Sequence, residues 1–259
     1  MPLADDLALA LELADAADRI SVARFGALDL AVETKPDLTP VTDADRAVEQ
    51  ALRDALARAR PDDAIVGEEF GATADQRGRR WIIDPIDATK NFVRGVPVWA
   101  TLIALMDGDN VLVGVASAPA IAHRWWAARG LGSWTTRPGV APHRNAVSGI
   151  TTVADASLSY SDLDDWGGAT PQFQRLAESV WRTRAYGDFW SHVLVAEGAV
   201  DISTEPEISL WDVAALVVIV EEAGGRVTAI DGSVSPAGSS IVCTNGALHD
   251  EVLARLAAG

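Results

Sequence analysis

The sequence predicts a layered mixture of helices and sheets, α+β in its first half and α/β in its second. Three observations carry that reading. Apolar residues recur at helical spacing over residues 4–29, at Leu7, Ala10, Leu13, Ala14, Ala17, Ile20 and Ala23. Short apolar runs bounded by turn residues follow one another between residues 64 and 128. From about residue 146 onward, strand-length and helix-length segments alternate.

Taken in order, the elements begin with one amphipathic helix over 4–29 and an extended stretch over 30–38. Thr42 or Asp43 then caps a helix over 45–59. The turn Pro61-Asp62-Asp63 precedes a strand over 64–66, which ends in Gly67-Glu68-Glu69, and a polar loop over 72–80. Residues 81–84 form a strand that Pro85 stops, and Thr89 opens a short helix. Strands follow over 97–105, 111–118 and 123–128. Turn-rich composition over 139–145 marks a boundary between halves 1–145 and 146–259. The second half reads as strands over 156–160, 182–186, 200–202, 226–230 and 241–244, with helices over 170–180, 188–196, 210–223 and 249–256. The apolar segments 96–104 and 123–128 suit a subunit interface or the core, and the core is the simpler role.

Composition excludes several function classes. The 259 residues carry a formal net charge of −16, with no basic patch to meet a nucleic-acid backbone and no polybasic segment for an anionic membrane. No apolar stretch is long enough to span a bilayer. Residues 1–24 hold Asp5, Asp6, Glu12, Asp15 and Asp18, which does not suit a targeting signal, so the cytoplasm is the expected compartment. Cys243, the single cysteine, rules out an internal disulfide, and Ile241-Val242-Cys243 reads as a buried strand. The four histidines show no zinc-hydrolase pattern.

The chemistry lies in acidic residues at element ends. Trp81-Ile-Ile-Asp84-Pro85-Ile86-Asp87 delivers two carboxylates from a strand end and a proline turn into one small volume. Such carboxylates repel unless a cation sits between them. The short helix at Thr89 offers free N–H groups to an anion. Glu68-Glu69 ends the preceding strand, Asp45 starts a helix, and Asp212 stands at the head of a long apolar helix. Turn and capping roles explain each singly, but not the joint pattern. Carboxylates for metal beside an anion cradle suggest metal-assisted chemistry on a phosphate ester.

Three motifs resemble the inositol monophosphatase-like phosphatases, which share a metal-dependent superfamily with fructose-1,6-bisphosphatase. They are Gly67-Glu68-Glu69; Trp81-Ile-Ile-Asp84-Pro85-Ile86-Asp87-Ala-Thr89-Lys-Asn91-Phe92; and Trp211-Asp212-Val213-Ala214 with Glu222-Ala223-Gly224-Gly225. The resemblance runs from about residue 5 to the C-terminus. It implies an αβαβα sandwich, a homodimer and two or three Mg²⁺ ions. Glu68, Asp84 and the Ile86 C=O match the ligands of one ion, and Asp84, Asp87 and Asp212 those of a second. Asp45, with Glu68, matches an acid near a third ion and the reactive water. Thr89 and Glu68 match the groups that orient that water, and Asp87 with the N–H groups of Ala88 and Thr89 matches the phosphate site. The family usually has Gly where this chain has Ala88, whose methyl crowds the phosphate or strains the turn if φ is positive.

The resemblance places the alcohol in the C-terminal half, where Arg184, Asp188, Trp190 and Glu205 are the candidate contacts, with Asn91 from the first half. Asp188 suits an ammonium or imidazolium, and an aromatic such as Trp190 suits stacking on a cationic group. The stretches 35–43, 91–99 and 186–192 look like the histidinol-phosphate phosphatase branch, which implies hydrolysis of L-histidinol phosphate to L-histidinol in histidine synthesis. Inositol 1-phosphate or a broader range of small phosphates is the rival, and Ala88 leaves open a metal-binding relative with weak catalysis.

Overall fold

The computed structural model describes residues 2–73, 78–234 and 240–257. Helix α1 (Leu3–Arg24) buries Ala10, Leu13, Ala14 and Ala17. It ends at Arg24 rather than at 29, because Phe25 is extended and Gly26 is left-handed at φ 72°. The hairpin of β1 (Val32–Thr34) and β2 (Pro40–Thr42) leads into α2 (Asp43–Ala59). Thr42 caps α2: its hydroxyl accepts from the Ala44 and Asp45 N–H groups, and Asp45 Oδ2 accepts from the Thr42 N–H at 2.8 Å.

Next come β3 (Ala64–Gly67), β4 (Gly71–Ala72), β5 (Arg79–Asp87), α3 (Thr89–Arg94), β6 (Ala100–Asp107), β7 (Asn110–Ala118), β8 (His123–Ala128), β9 (Gly132–Arg137) and β10 (Val140–Arg144). These strands form one sheet in the order β10-β9-β8-β7-β6-β5-β3-β4. One expectation fails here. Pro85 does not stop β5, which runs on to Asp87 through a register shift between Asp84 and Asp87. The strand tolerates proline because the bulge takes that residue out of the ladder. The turn-rich stretch 139–145 is mostly strand β10, the last strand of this sheet, with Gly139 at the tip of its hairpin with β9. The polar loop expected over 72–80 instead includes the ends of β4 and β5, and its residues 74–77 lie outside the described residues.

The second half contributes β11 (Ser157–Ser159), α4 (Thr170–Ser179), β12 (Arg182–Arg184), α5 (Asp188–Ala196), β13 (Ile202–Glu205), α6 (Leu210–Glu221), β14 (Arg226–Thr228), β15 (Ile241–Thr244) and α7 (His249–Ala257). Its sheet runs β12-β11-β13-β15-β14. The layers follow from the two-residue period of the strands. On β5, Trp81 and Ile83 face α1 and α2, while Ile82 faces α6. Helices α5 and α6 are covered on their other side by Val227, Ile241 and Cys243 of the second sheet. Leu158, Ile202 and Val242 then face α4 and α7. The order is helices, sheet, helices, sheet, helices.

Helix α6 lies directly on β7. A Cβ at Gly114 would stand 2.3 Å from the Ala215 carbonyl oxygen, so only glycine permits this approach. Ala100, Leu102, Ile103 and Trp125 are core residues, so most of the two candidate interface segments is buried within the chain. Cys243 is buried, as its strand setting predicts. No described helix is long and apolar enough to cross a membrane.

Candidate active site

A cavity of about 500 Å³ opens where α3, the bulged end of β5 and the heads of α5 and α6 meet. Its wall includes Glu68, Asp84, Ile86, Asp87, Ala88, Thr89, Asn91, Asp188, Glu205 and Asp212. The β5 bulge explains the pairing of Asp84 with Asp87, because a regular strand would put Asp87, three residues on, on the opposite face from Asp84. Thr101 Oγ1 donates to the Pro85 carbonyl at 2.8 Å and pins the bulge.

Asp84, Asp87 and Asp212 bring one carboxylate oxygen each within 4.8 Å of one another. Asp87 Oδ2 accepts from the Phe189 N–H at 2.9 Å, at the head of α5. Asp212 caps α6 by accepting from the Ser209 N–H at 2.8 Å, so capping accounts for one of its two oxygens. Asp84 Oδ1 is buried with no hydrogen-bond partner in the protein. A buried carboxylate oxygen left bare is costly, and a hard divalent cation takes oxygen ligands of this kind. The donor set therefore fits a Mg²⁺-type ion.

Glu68 stands on a fixed turn. Buried Glu49 accepts from the Glu69 and Phe70 N–H groups at 2.7 and 3.1 Å, and a Cβ at Gly67 would collide with Glu49 Oε1 at 2.0 Å. Lys35, from the β1–β2 hairpin, places Nζ 2.6 Å from Glu68 Oε1 and 2.5 Å from Glu69 Oε1. Burial opposes its charge, but the two carboxylates hold the ammonium above the ordinary lysine range. Beside it, Thr89 Oγ1 donates to the Ile86 carbonyl at 2.9 Å and lies 3.4 Å from Asp45 Oδ1.

The electrostatics show what the cluster lacks. Burial, then repulsion from Glu68, Asp87 and Asp212, pushes Asp84 well above the carboxylate range. Burial, then Asp188 and Asp212, does the same to Asp87. Burial raises Asp212 to about 7 and Asp45 to about 6, against their backbone hydrogen bonds, and Glu68 adds repulsion in both cases. Positive charge would relieve all four groups.

Ala88 is left-handed at φ 67° and ψ 46°, the conformation in which the methyl is strained. Its carbonyl accepts from the Asn91 and Phe92 N–H groups at 2.9 and 3.1 Å, so the residue closes the first turn of α3. The first N–H groups of a helix have no partner within it and remain available to an anion.

At the far end of the cavity, Asp188 is also left-handed, at φ 49°. Burial, then Glu205, raises it to about 6. Asn91 commits Nδ2 to the Val98 carbonyl at 2.9 Å, which ties α3 to the chain ahead of β6. Two expected contacts do not line the cavity. Arg184 is exposed on the edge strand β12 and donates to the Thr183 carbonyl. Trp190 packs on Tyr186 with ring centroids 5.4 Å apart, because residues two apart on a helix do not share a face. Lys35, Ser161 and His192 were not singled out from the sequence. For His192 a signal existed: it stands four residues after Asp188 on one helix, hence on the same face.

Residues 4–258 match the model of the inositol monophosphatase family. The histidinol-phosphatase of Mycobacterium tuberculosis is 60% identical over 257 residues, covering 98% of this chain and 99% of that protein. That of Streptomyces coelicolor is 55% identical over 258 residues, covering 97% of each. Among solved structures, an IMPase of Thermotoga maritima superposes with a TM-score of 0.86 at 30% identity, covering 97% of this chain and 96% of that one. The extragenic suppressor protein suhB from Bartonella henselae gives 0.89 at 27% identity, covering 98% of this chain and 99% of that one. With a full-length family match, close relatives at both levels and an acidic cavity beside a short helix, this chain belongs to the inositol monophosphatase family.

Proposed function

We propose that the protein is a Mg²⁺-dependent phosphomonoesterase that hydrolyses L-histidinol phosphate to L-histidinol and phosphate. One observation carries the reaction class: the mutually repelling carboxylates of buried Asp84 and Asp87 and half-buried Asp212 share a cavity with the head of α3. The choice of alcohol rests on the two histidinol-phosphatases above and on Asp188, a half-buried carboxylate suited to a cationic group. Glu68, Asp84 and the Ile86 carbonyl would hold one Mg²⁺, and Asp84, Asp87 and Asp212 a second, with Asp45 and Glu68 near a third. When bound, the ions lower the pKa of a ligated water and neutralise charge on the leaving oxygen.

The protein's own groups do the rest. Ala88 and Thr89 direct N–H groups at the phosphate. The Thr89 hydroxyl, held between the Ile86 carbonyl and Asp45, orients the attacking water together with Glu68. Asp188 and Glu205 receive the alcohol. A homodimer in the cytoplasm is the setting the family resemblance suggests, and light scattering checks the dimer.

The test is phosphate release from L-histidinol phosphate, inositol 1-phosphate, fructose 1,6-bisphosphate and adenosine 3′,5′-bisphosphate, with Mg²⁺ and with chelator. Preferential, chelator-sensitive turnover of L-histidinol phosphate is expected. Turnover that survives chelation refutes the metal role, and preference for another ester refutes the assigned alcohol.

A further inference from the structure

His192 is 1% exposed, yet it forms part of the cavity wall. Its Nε2 lies 3.1 Å from Glu205 Oε1, and its Nδ1 lies 2.8 Å from Ser203 Oγ. Ser161 Oγ donates to the same Glu205 oxygen at 2.6 Å, and Ser161 in turn accepts from the Asp188 N–H at 2.8 Å. An ionised carboxylate can only accept, so the proton between His192 and Glu205 belongs to Nε2. Two donors thus converge on Oε1, and neither engages Oε2. Among the described residues, none donates a hydrogen bond to the Asp188 carboxylate.

Charge agrees with this geometry. Burial lowers His192, but Cys243 and Glu205 outweigh it and hold the ring up at about 10. Burial would raise Glu205, but the His192 and Ser161 hydrogen bonds keep it below its usual value. A protonated ring beside Glu205 forms an imidazolium–carboxylate pair, which offsets the charge on Glu205. Asp188 beside it feels attraction from Lys90 and His192, which burial and Glu205 outweigh.

We propose that His192 is a positioning residue for the leaving group: it clamps Glu205 through Oε1 and offsets its charge, so that Oε2 accepts from an N–H of the alcohol portion while the Asp188 carboxylate meets its positive charge. This rests on the proposed alcohol site at Asp188 and Glu205. The selectivity that follows is for a phosphate ester whose alcohol carries a cationic group beside a second N–H donor, in preference to a neutral polyol.

The experiment is steady-state kinetics of His192→Asn and His192→Gln in the wild-type and Glu205→Gln backgrounds, with saturating Mg²⁺. Asn can keep a donor for Ser203 and loses the one for Glu205, whereas Gln can replace the Nε2 donor without its charge. We expect KM for the phosphate ester that wild type turns over best to rise about tenfold in His192→Asn, from loss of a charged hydrogen bond. It should rise less in His192→Gln, with kcat changed by less than about twofold in both. Inhibition by inorganic phosphate should be unchanged, since the phosphate is bound elsewhere. In the Glu205→Gln background, His192→Asn should add little. The proposal is overturned if phosphate inhibition weakens in parallel with KM, or if His192→Asn costs as much without Glu205 as with it. It is equally overturned if His192→Asn is kinetically silent, or if it fails to fold while His192→Gln folds with unchanged KM. Wild-type preference for a neutral polyol ester refutes both the assigned alcohol and the selectivity stated here, whereas preference for another cationic ester refutes the assigned alcohol alone.

Discussion

Stability of the metal-free protein should fall as pH rises from about 4 to 7, and Mg²⁺ should reverse the loss. The perturbation is chelation. Asp212 moves from 3.8 in the unfolded chain to about 7 in the folded one, because burial and Glu68 disfavour its charge. A carboxylate raised on folding stabilises the folded state below its unfolded value, and that contribution is lost as pH rises through its folded value. A shift of about three units is worth about 4 kcal/mol at 1.36 kcal/mol per unit. Asp45, raised to about 6, acts in the same direction over a narrower window. At roughly 2 °C per kcal/mol for a chain of this size, the chelated protein should lose on the order of 8 °C in Tm.

The assay is thermal unfolding at several pH values between about 5 and 8, in chelator and in Mg²⁺. The quantity read is the Tm difference between the two buffers. That difference removes groups remote from the cavity. His249, hydrogen-bonded to Thr228 and Thr244, is lowered to about 4 by burial, so its contribution is lost as pH falls; it does so in both buffers. Mg²⁺ at about 100 times its Kd should add about 2.7 kcal/mol at the alkaline end. Protons compete with it at the acidic end, and the two curves should converge near pH 5. A Tm difference that stays constant or shrinks with rising pH would refute the reasoning.

Three further outcomes are expected. Asp87→Asn should lower turnover by more than roughly 100-fold, since even outer partners of a metal ligand are worth roughly 10–100-fold, and single-turnover phosphate release checks it. Ala88→Gly should raise Tm slightly, because relief of about 1–2 kcal/mol of left-handed strain exceeds the roughly 0.4–1 kcal/mol that glycine adds to unfolded-state entropy; inhibition by phosphate, which reads the retained N–H, should not change. Lys35→Met should destabilise the chelated protein by roughly 1–3 kcal/mol, less than a fully buried pair costs, and Mg²⁺ should shrink the difference in thermal unfolding.

Much of the site was legible because its residues sit in short local patterns. Asp84, Asp87 and Thr89 fall within six consecutive positions, and the acidic residues at strand and helix ends stand out against apolar neighbours. Helix α5 was read at its observed bounds, because an N-terminal acid and an apolar run coincide there. What the sequence hid is non-local. Proline suggested an end to β5, whereas the bulge and a hydrogen bond from Thr101 carry the strand past it. Strand β10, all exposed, has no apolar alternation to announce it. Lys35 reaches Glu68 across the fold, and no spacing in the chain encodes that contact. Arg184 and Trp190 looked plausible by proximity to Asp188 in sequence, but strand edge and helix phase turn them elsewhere.

The contact of α6 with β7 at Gly114 has a consequence for how the protein can be divided. Asp84 and Asp212 come from segments separated by most of two sheets in chain order, and they meet only because that helix is seated on the first sheet. Cutting the chain between residues 145 and 146 would therefore give two pieces with exposed apolar faces, neither holding a complete ligand set. Mixed together, such fragments should regain chelator-sensitive activity only as they reassociate, so catalysis becomes a direct readout of the seam between them.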